Sequence, residues 1–241
     1  PFTATATAKE GFDPSTVVLS YVGSTGESVT LTPTNGTYDL GAITGSVQLT
    51  ASMSEFVYSI DLTSDATASV VSGFGSVTGK KHGETIVFGT DLQATPATGY
   101  KNVVYYVGKK AYNTGESYTV TGSLTGDNAI VAKGSGLTIY TIEYKGEDGS
   151  EALTTSNPTT FTVETDSFSL AAPEKSGYDG AWFDQQVDGA QVKAVTKGTT
   201  GDKVLYARWT PVSYDVAVGD ASNVTAASSV AKTTIGQEVV L

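Results

Sequence analysis

The chain contains no cysteine and a single histidine, and these two shortages exclude several kinds of site. Without cysteine there is neither a disulfide framework nor a thiolate metal centre. With His82 as the one imidazole, a two-histidine metal site is excluded, and Ser-His-Asp catalysis would depend on one residue in a lysine-rich turn. We therefore expect no enzyme, no catalytic residue, no metal and no cofactor, and we interpret His82 as a solvated turn residue.

Basic residues are also scarce, with 14 Lys and Arg against 25 Asp and Glu and a net charge of −11. Nucleic-acid binding needs clustered cations that neutralise phosphates, so we expect no nucleic-acid partner. The basic clusters Lys80-Lys81-His82 and Lys109-Lys110 both lie at expected turns. No hydrophobic run approaches the length of a membrane span, so we expect no membrane insertion in this segment.

What the chain does contain is the composition of β-strands and turns. From Phe2 to Ala8 alanine alternates with threonine, which predicts a strand with one small apolar face. Gly 27 and Pro 7 provide turns without a collagen-like period. No segment carries a 3.6-residue apolar period, and Asn157-Pro158 and Gln185-Gln186 are interpreted as loops. The sequence therefore predicts an all-β protein.

A short signature occurs three times along the chain. It consists of Thr-Gly, three variable residues, Ile or Leu, one residue and Ala, and its copies begin at Thr44, Thr125 and Thr200. A glycine followed by an aromatic residue precedes each copy: Gly11-Phe12, Gly99-Tyr100 and Gly177-Tyr178. Repetition at nearly even spacing indicates an array of small modules, which are more often stalks or binding surfaces than enzymes.

The spacing of the signature also closes around the ends of the chain. Gly126 follows Gly45 by 81 residues, Gly201 follows Gly126 by 75, and a path from Gly201 through Leu241 and Pro1 to Gly45 takes 85. We hypothesise that these residues are one period of a longer repetitive structure, the alternative being an arbitrary fragment. Either the periods are joined in one long chain, or separate chains complete each other's split module, with the strand near Leu241 beside Phe2 of the next molecule.

Strand patterns that recur at Tyr58, Tyr140 and Tyr214 mark the starts of modules. They predict the C-terminal part of a divergent β repeat at 1–57, a complete divergent β repeat at 58–138, a third module at 139–211 and the N-terminal part of the next repeat at 212–241. The junctions are short, and Pro211-Val212-Ser213 is the clearest. Short junctions favour a tandem array that forms an elongated rod.

Residues 139 to 210 contain an ordered set of motifs. They run Tyr140-x-Ile142-x-Tyr144, Asn157-Pro158-Thr159-x-Phe161, Gly177-Tyr178, Trp182-Phe183, Lys197-Gly198-Thr199-x-Gly201-Asp202 and Leu205-Tyr206-Ala207-x-Trp209. In this order they resemble the Listeria–Bacteroides repeat, also called the internalin B-repeat. The chain departs from that family at Gly146-Glu147-Asp148-Gly149 and at Asp179-Gly180-Ala181, which affects loops more than the fold.

The resemblance implies β-grasp-like or β-sandwich modules of a secreted bacterial surface protein, located outside the cell. It implies that the modules space or assemble an extracellular stalk or fibre, with neighbouring repeats or copies of the same chain as head-to-tail partners. It brings no catalytic or cofactor residues. The alternative function is an adhesin or carbohydrate-binding segment that contacts host or polysaccharide surfaces, with a host-surface glycan or protein as partner.

Aromatic side chains are the remaining candidates for ligand binding, because sugars stack on exposed rings. We predict an exposed patch at Tyr105, Tyr106 and Tyr112, since adjacent strand residues point to opposite faces and one of the first two must point outward. Trp182 and Trp209 are expected in the core instead. The carboxylates between Gly146 and Glu151 lack the spacing of a calcium loop, which favours an acidic hairpin tip.

Overall fold

The computed structural model describes residues 2–217, 228 and 231–238. The chain forms two compact units, Pro1–Gly136 and Leu137–Leu241. Within the described residues the only helical segments are two short 3-10 turns, Pro14–Thr16 and Gly126–Asn128. None of the described helices has the length and apolar character needed to cross a membrane. The prediction of an all-β protein is confirmed.

The first unit contains fifteen described strands, the last of which ends at the boundary. They are β1 (Phe2–Ala4), β2 (Val18–Val22), β3 (Ser28–Leu31), β4 (Pro33–Thr34), β5 (Thr37–Gly41), β6 (Gln48–Ser52), β7 (Val57–Ser64), β8 (Ala68–Val70), β9 (Ser76–Lys81), β10 (Thr85–Val87), β11 (Ala94–Pro96), β12 (Tyr100–Val107), β13 (Lys110–Asn113), β14 (Ser117–Thr119) and β15 (Ile130–Leu137). The largest sheet has the order β13-β12-β15-β7-β9, and β3-β2-β6, β1-β5-β4, β10-β14 and β11-β8 form smaller sheets.

The second unit contains the remaining described strands. They are β16 (Tyr140–Lys145), β17 (Thr160–Phe161), β18 (Phe168–Ser169), β19 (Tyr178–Phe183), β20 (Ala194–Val195), β21 (Lys203–Pro211), β22 (Ser213–Asp215) and β23 (Lys232–Thr234). Four of them form a sheet with the order β17-β16-β21-β19, while β18-β20 and β22-β23 are two-stranded sheets.

The largest sheet of each unit uses the same strand order. The strand that follows the Thr-Gly signature lies between the strand that follows the Gly-aromatic pair and the strand that opens with the recurring Tyr pattern. Thus β15 lies between β12 and β7, and β21 lies between β19 and β16. We call β6, β15 and β21 the signature strands, and β7, β16 and β22 the opening strands. In both sheets the signature strand pairs with its opening strand in parallel.

The apolar residues of the signature are buried where both neighbouring strands are present. Ile130 and Ala132 of β15 lie in one core cluster, and Leu205 and Ala207 of β21 lie in another. The registers correspond, because Ile130 lies opposite Leu62 in the opening strand and Leu205 lies opposite Tyr144. Because close-packed cores have no room for a larger side chain, the alanine of the signature marks a tight contact.

The first copy of the signature has a different environment. Among the described residues β6 pairs with β2 alone, on one edge. Leu49 is 43% exposed, and Ala51, which occupies the position of Ala132 and Ala207, is also exposed. The buried hydrophobic residues between positions 2 and 56 are three, Leu19, Tyr38 and Leu40. This part of the chain therefore has the beginnings of a core without an opening strand to cover it.

The boundary between the two units falls after Gly136, two residues before the end of the module predicted at 58–138. The finer division into four modules stays a prediction. The strand at Phe2 pairs with β5 in the same unit. Its predicted neighbour, the strand near Leu241, lies outside the described residues.

We predict that the signature alanine is intolerant of a larger side chain only where the module is complete. Ala207→Leu should lower the free energy of unfolding by about 1–3 kcal/mol, because extra methyl groups overpack a filled core. The matched variant Ala51→Leu, at the exposed copy of the same position, should change it by less than about 0.5 kcal/mol. Urea unfolding followed by circular dichroism measures both. Equal losses in the two variants would contradict the assignment.

Candidate functional site

Two of the three predicted ligand-binding tyrosines lie in the core. Tyr105 is 1% exposed, stacks on Phe88 with ring centroids 4.8 Å apart, and accepts a hydrogen bond at its hydroxyl from the Ala94 N–H at 3.2 Å. Tyr112 lies directly opposite Tyr105 on the neighbouring strand, so it shares the same inward face and also packs on Phe88. The predicted exposed patch is therefore wrong for Tyr105 and Tyr112.

Tyr106 is the member of the set that points away from this core. Its side chain is half-buried, and the Lys133 ammonium lies 5.7 Å from the centre of its ring. A cation at this distance is attracted to the face of the ring. One half-buried ring offers a sugar much less stacking area than the predicted three-residue patch.

The tryptophans of the second unit serve the core, as expected from their size. Trp182 is 2% exposed, and its Nε1–H donates to the Ala171 carbonyl at 2.8 Å. The Tyr144 ring packs edge-on against it, with centroids 4.9 Å apart. Trp209 is partly buried at the margin of the same cluster, with the Lys175 ammonium 5.0 Å from its ring.

The polar candidates adopt structural roles. Asp148 accepts hydrogen bonds from the Ser150 N–H at 3.0 Å and the Ser150 hydroxyl at 2.8 Å, which lower the pKa of its carboxyl and close the acidic turn. Within the described part of the chain, no three His, Cys, Asp or Glu residues come together as a metal site. His82 is not the solvated turn residue that was predicted: its side chain is only 22% exposed and packs against Gly11.

The contact between His82 and Gly11 belongs to a junction between the first two predicted modules. The Gly11 carbonyl accepts a hydrogen bond from the Phe56 N–H at 2.8 Å, just before the opening strand β7. Next to it, Phe12 forms an antiparallel bridge with Glu55. Gly11 has a φ of +88°, and a Cβ there would lie 2.7 Å from the His82 Cβ. Both the backbone conformation and the space around it therefore require glycine.

The second unit contains the same junction, built from different residues. The Gly177 carbonyl accepts a hydrogen bond from the Val212 N–H at 2.9 Å, just before β22. Tyr178 pairs with Pro211, in the positions of Phe12 and Glu55. Gly177 has a φ of +79°, and a Cβ there would lie 2.9 Å from the Ile235 Cβ. Ile235 precedes Gly236 just as His82 precedes Gly83.

These two matching junctions are the sites that sequence reasoning missed. The Gly-aromatic pair was recognised as a marker, but its partner two strands further on was not. A signal was present, because the segments that begin at Gly83 and Gly236 resemble each other. The residue before each of these glycines is the one that packs on the Gly-aromatic pair of the preceding module.

No protein-family model, curated protein or solved structure matches the chain. What can be said of its function therefore comes from its own residues and from the geometry of the junctions.

We predict that the junction glycine is needed for the contact as well as for its backbone angle. Gly11→Ala and Gly26→Ala both place a Cβ on a residue with φ above +80°, but Gly26 has no atom within 4 Å of that position. Gly11→Ala should therefore lower the unfolding free energy of the first unit by at least about 1 kcal/mol more, through the clash with His82. Urea unfolding followed by circular dichroism compares them.

The double variant Gly11→Ala with His82→Gly supplies the control, because it removes the opposing Cβ. It should recover the additional loss but not the part due to backbone angle. Equal losses for Gly11→Ala and Gly26→Ala would show that the close contact contributes nothing.

We predict that the core of the second unit weakens in alkali. Burial raises the pKa of Tyr144 from 10.0 to about 12, and its hydroxyl donates to the Pro158 carbonyl at 2.8 Å. Below pH 10 this contribution to stability is fully present, and it is lost as pH rises towards 12, since the unfolded chain releases the proton first. Urea unfolding followed by tryptophan fluorescence reports this unit, which holds both tryptophans.

Tyr144→Phe should flatten the fall in stability over that pH range. Tyr106→Phe, in the other unit, should leave it unchanged. A slope that survives Tyr144→Phe would assign the alkaline loss to other groups.

Proposed function

We propose that the chain is a structural repeat segment of a secreted bacterial surface stalk or fibre, and that its modules space or assemble an extracellular array. The observation that supports this most directly is the repeated junction. Gly11 with Phe56 and His82, and Gly177 with Val212 and Ile235, make one set of contacts twice with unrelated side chains.

A repeated junction matters because modules on loose linkers move independently by default. Here the opening strand of the following module is hydrogen-bonded to the Gly-aromatic pair of the preceding one, and a side chain from that following module fills the space above the glycine. A contact that recurs with His in one place and Ile in another depends on backbone geometry rather than on one side chain. Such a contact suits an array that must hold its modules in a regular arrangement.

Two further features support an extracellular array. The net charge of −11 keeps neighbouring copies from adhering through their faces, and the motifs of residues 139 to 210 resemble those of a family of bacterial surface repeats. The neighbouring repeat is therefore the partner that we propose, with no catalytic role, no nucleic acid and no membrane insertion for this segment.

Fusions of one, two and three copies of the chain test the proposal. Small-angle X-ray scattering should give a maximum dimension that increases by a constant step with each copy. A set of copies that collapses into a compact particle would increase much more slowly in size and would contradict a spacing role.

The adhesin alternative gives a prediction of its own at Tyr106. For a spacer, glycan arrays and cell-binding assays should detect no saturable binding by the native chain. Saturable binding that is lost in Tyr106→Ala and kept in Tyr206→Ala, a half-buried tyrosine of the other unit, would favour the adhesin. Tyr105→Ala is unsuitable for this test, because removing a core ring costs about 3–5 kcal/mol and unfolds the site.

A further inference from the structure

The open edge of β6 is the place where the sheets differ. In the two complete sheets, the signature strand has an opening strand as its parallel neighbour. Among the described residues β6 has no such neighbour, and Leu49 and Ala51 are exposed where their counterparts are buried. Backbone groups and apolar side chains along one edge therefore lack the cover that the same pattern has elsewhere.

This edge also lacks the features by which proteins normally protect exposed strands. Edge strands carry lysines, prolines or other charges that discourage pairing with another chain. The edge strand β9 ends in Lys80-Lys81, and the opposite edge strand β13 begins with Lys110. The sequence of β6, Gln48-Leu49-Thr50-Ala51-Ser52, contains no charge and no proline. Its composition suits a strand that is paired on both sides.

The surface beside the start of β6 is a cleft rather than a flat face. Its volume is about 180 Å³, and apolar side chains of Tyr21, Val29, Leu40 and Val47 contribute to its walls. In the complete modules, opening-strand residues fill the corresponding core: Ile60 and Leu62 in one, Ile142 and Tyr144 in the other. The cleft is therefore placed to receive apolar residues from a strand of the same kind.

The complementary edge belongs to β22. This opening strand pairs with β23, as β7 pairs with β9 and β16 with β17, and no described strand occupies its other edge. Tyr214 is 48% exposed, and Tyr214-x-Val216 repeats the patterns Tyr58-x-Ile60 and Tyr140-x-Ile142. A two-stranded sheet alone is marginally stable in water, so this hairpin gains from a third strand.

We propose that β22 of one copy of this chain pairs in parallel with β6 of a second copy and completes its first module. The inference rests on the proposed array and identifies the surface that joins its copies. The pairing is head-to-tail, because the donor edge and the acceptor edge are different surfaces, and such contacts propagate into open assemblies. In the register of Ile142 opposite Lys203, Val216 lies opposite Val47, since both acceptor positions follow the signature glycine by two residues.

Sedimentation velocity of the 241-residue chain over a range of concentrations tests the pairing. The native chain should form a concentration-dependent series of multiples of 24.8 kDa. Ala51→Glu should raise the dissociation constant at least about 100-fold, because completing the module would bury an unpaired carboxylate. The chain itself should stay folded by circular dichroism, since Ala51 is exposed in the single copy.

Thr50→Glu is the matched control, with the same charge one residue away on the opposite face of β6. It should associate nearly as well as the native chain. A native chain that stays monomeric at every concentration overturns the proposal. Equal weakening by Ala51→Glu and Thr50→Glu, or by neither, overturns it as well, because association would then use another surface.

A disulfide cross-link tests the register, and the absence of natural cysteine makes it clean. Mixed copies carrying Val47→Cys and Val216→Cys should form a covalent heterodimer on oxidation, since paired strand residues lie within disulfide reach. Val22→Cys, on the far side of β6, should not cross-link to Val216→Cys. Absence of the first product, or equal yields of both, contradicts the pairing.

These outcomes separate the inference from the proposed function. If the fused copies lengthen by constant steps while the single chain neither associates nor cross-links, the array stands and strand donation fails. If the fused copies collapse, the array fails whatever the single chain does.

Discussion

The requirement of a signature strand for a neighbour on each edge controls the rest of the structure. A strand inside a sheet must pair its N–H and C=O groups on both sides, and its apolar face must be covered. β15 and β21 meet both conditions, and their Ile-x-Ala and Leu-x-Ala residues are buried. β6 has the same pattern with one neighbour, and the pattern is exposed. The opening strand, more than the signature itself, therefore decides whether a module has a core.

This dependence also explains the junctions. Leu62 and Ile130 are paired although 68 residues separate them, so each module closes its sheet only after most of its chain has been made. The chain leaves β6 at Ser52 and begins β7 at Val57, and it leaves β21 at Pro211 and begins β22 at Ser213. Successive sheets thus share almost continuous backbone. The hydrogen bond to Gly11 or Gly177 holds this passage, and the bulk of His82 or Ile235 makes glycine necessary there.

Features with a local cause were predictable from the sequence, and features set by distant contacts were not. Strand alternation and the positions of the repeated glycines are local, and the size of Trp182 required a core. One of Tyr105 and Tyr106 had to face outward, but which one depended on Phe88 and the register with β13. His82 was misjudged because its lysine neighbours suggested solvent, whereas its contact is Gly11, 71 residues earlier. The open edge of β6 could be recognised only by comparison with the completed sheets.

Strand donation would give an array a particular kind of stability. A module that contains both its opening and its signature strand folds from its own residues, as the clusters around Ile130 and Leu205 indicate. A module divided between copies has three buried hydrophobic residues until the partner strand arrives, so its folding and the joining of copies are one event. Separating two copies then requires breaking a parallel strand pair and opening a core together. The joint would consequently resist force as the interior of a module does, and the array would have no weaker interface between copies.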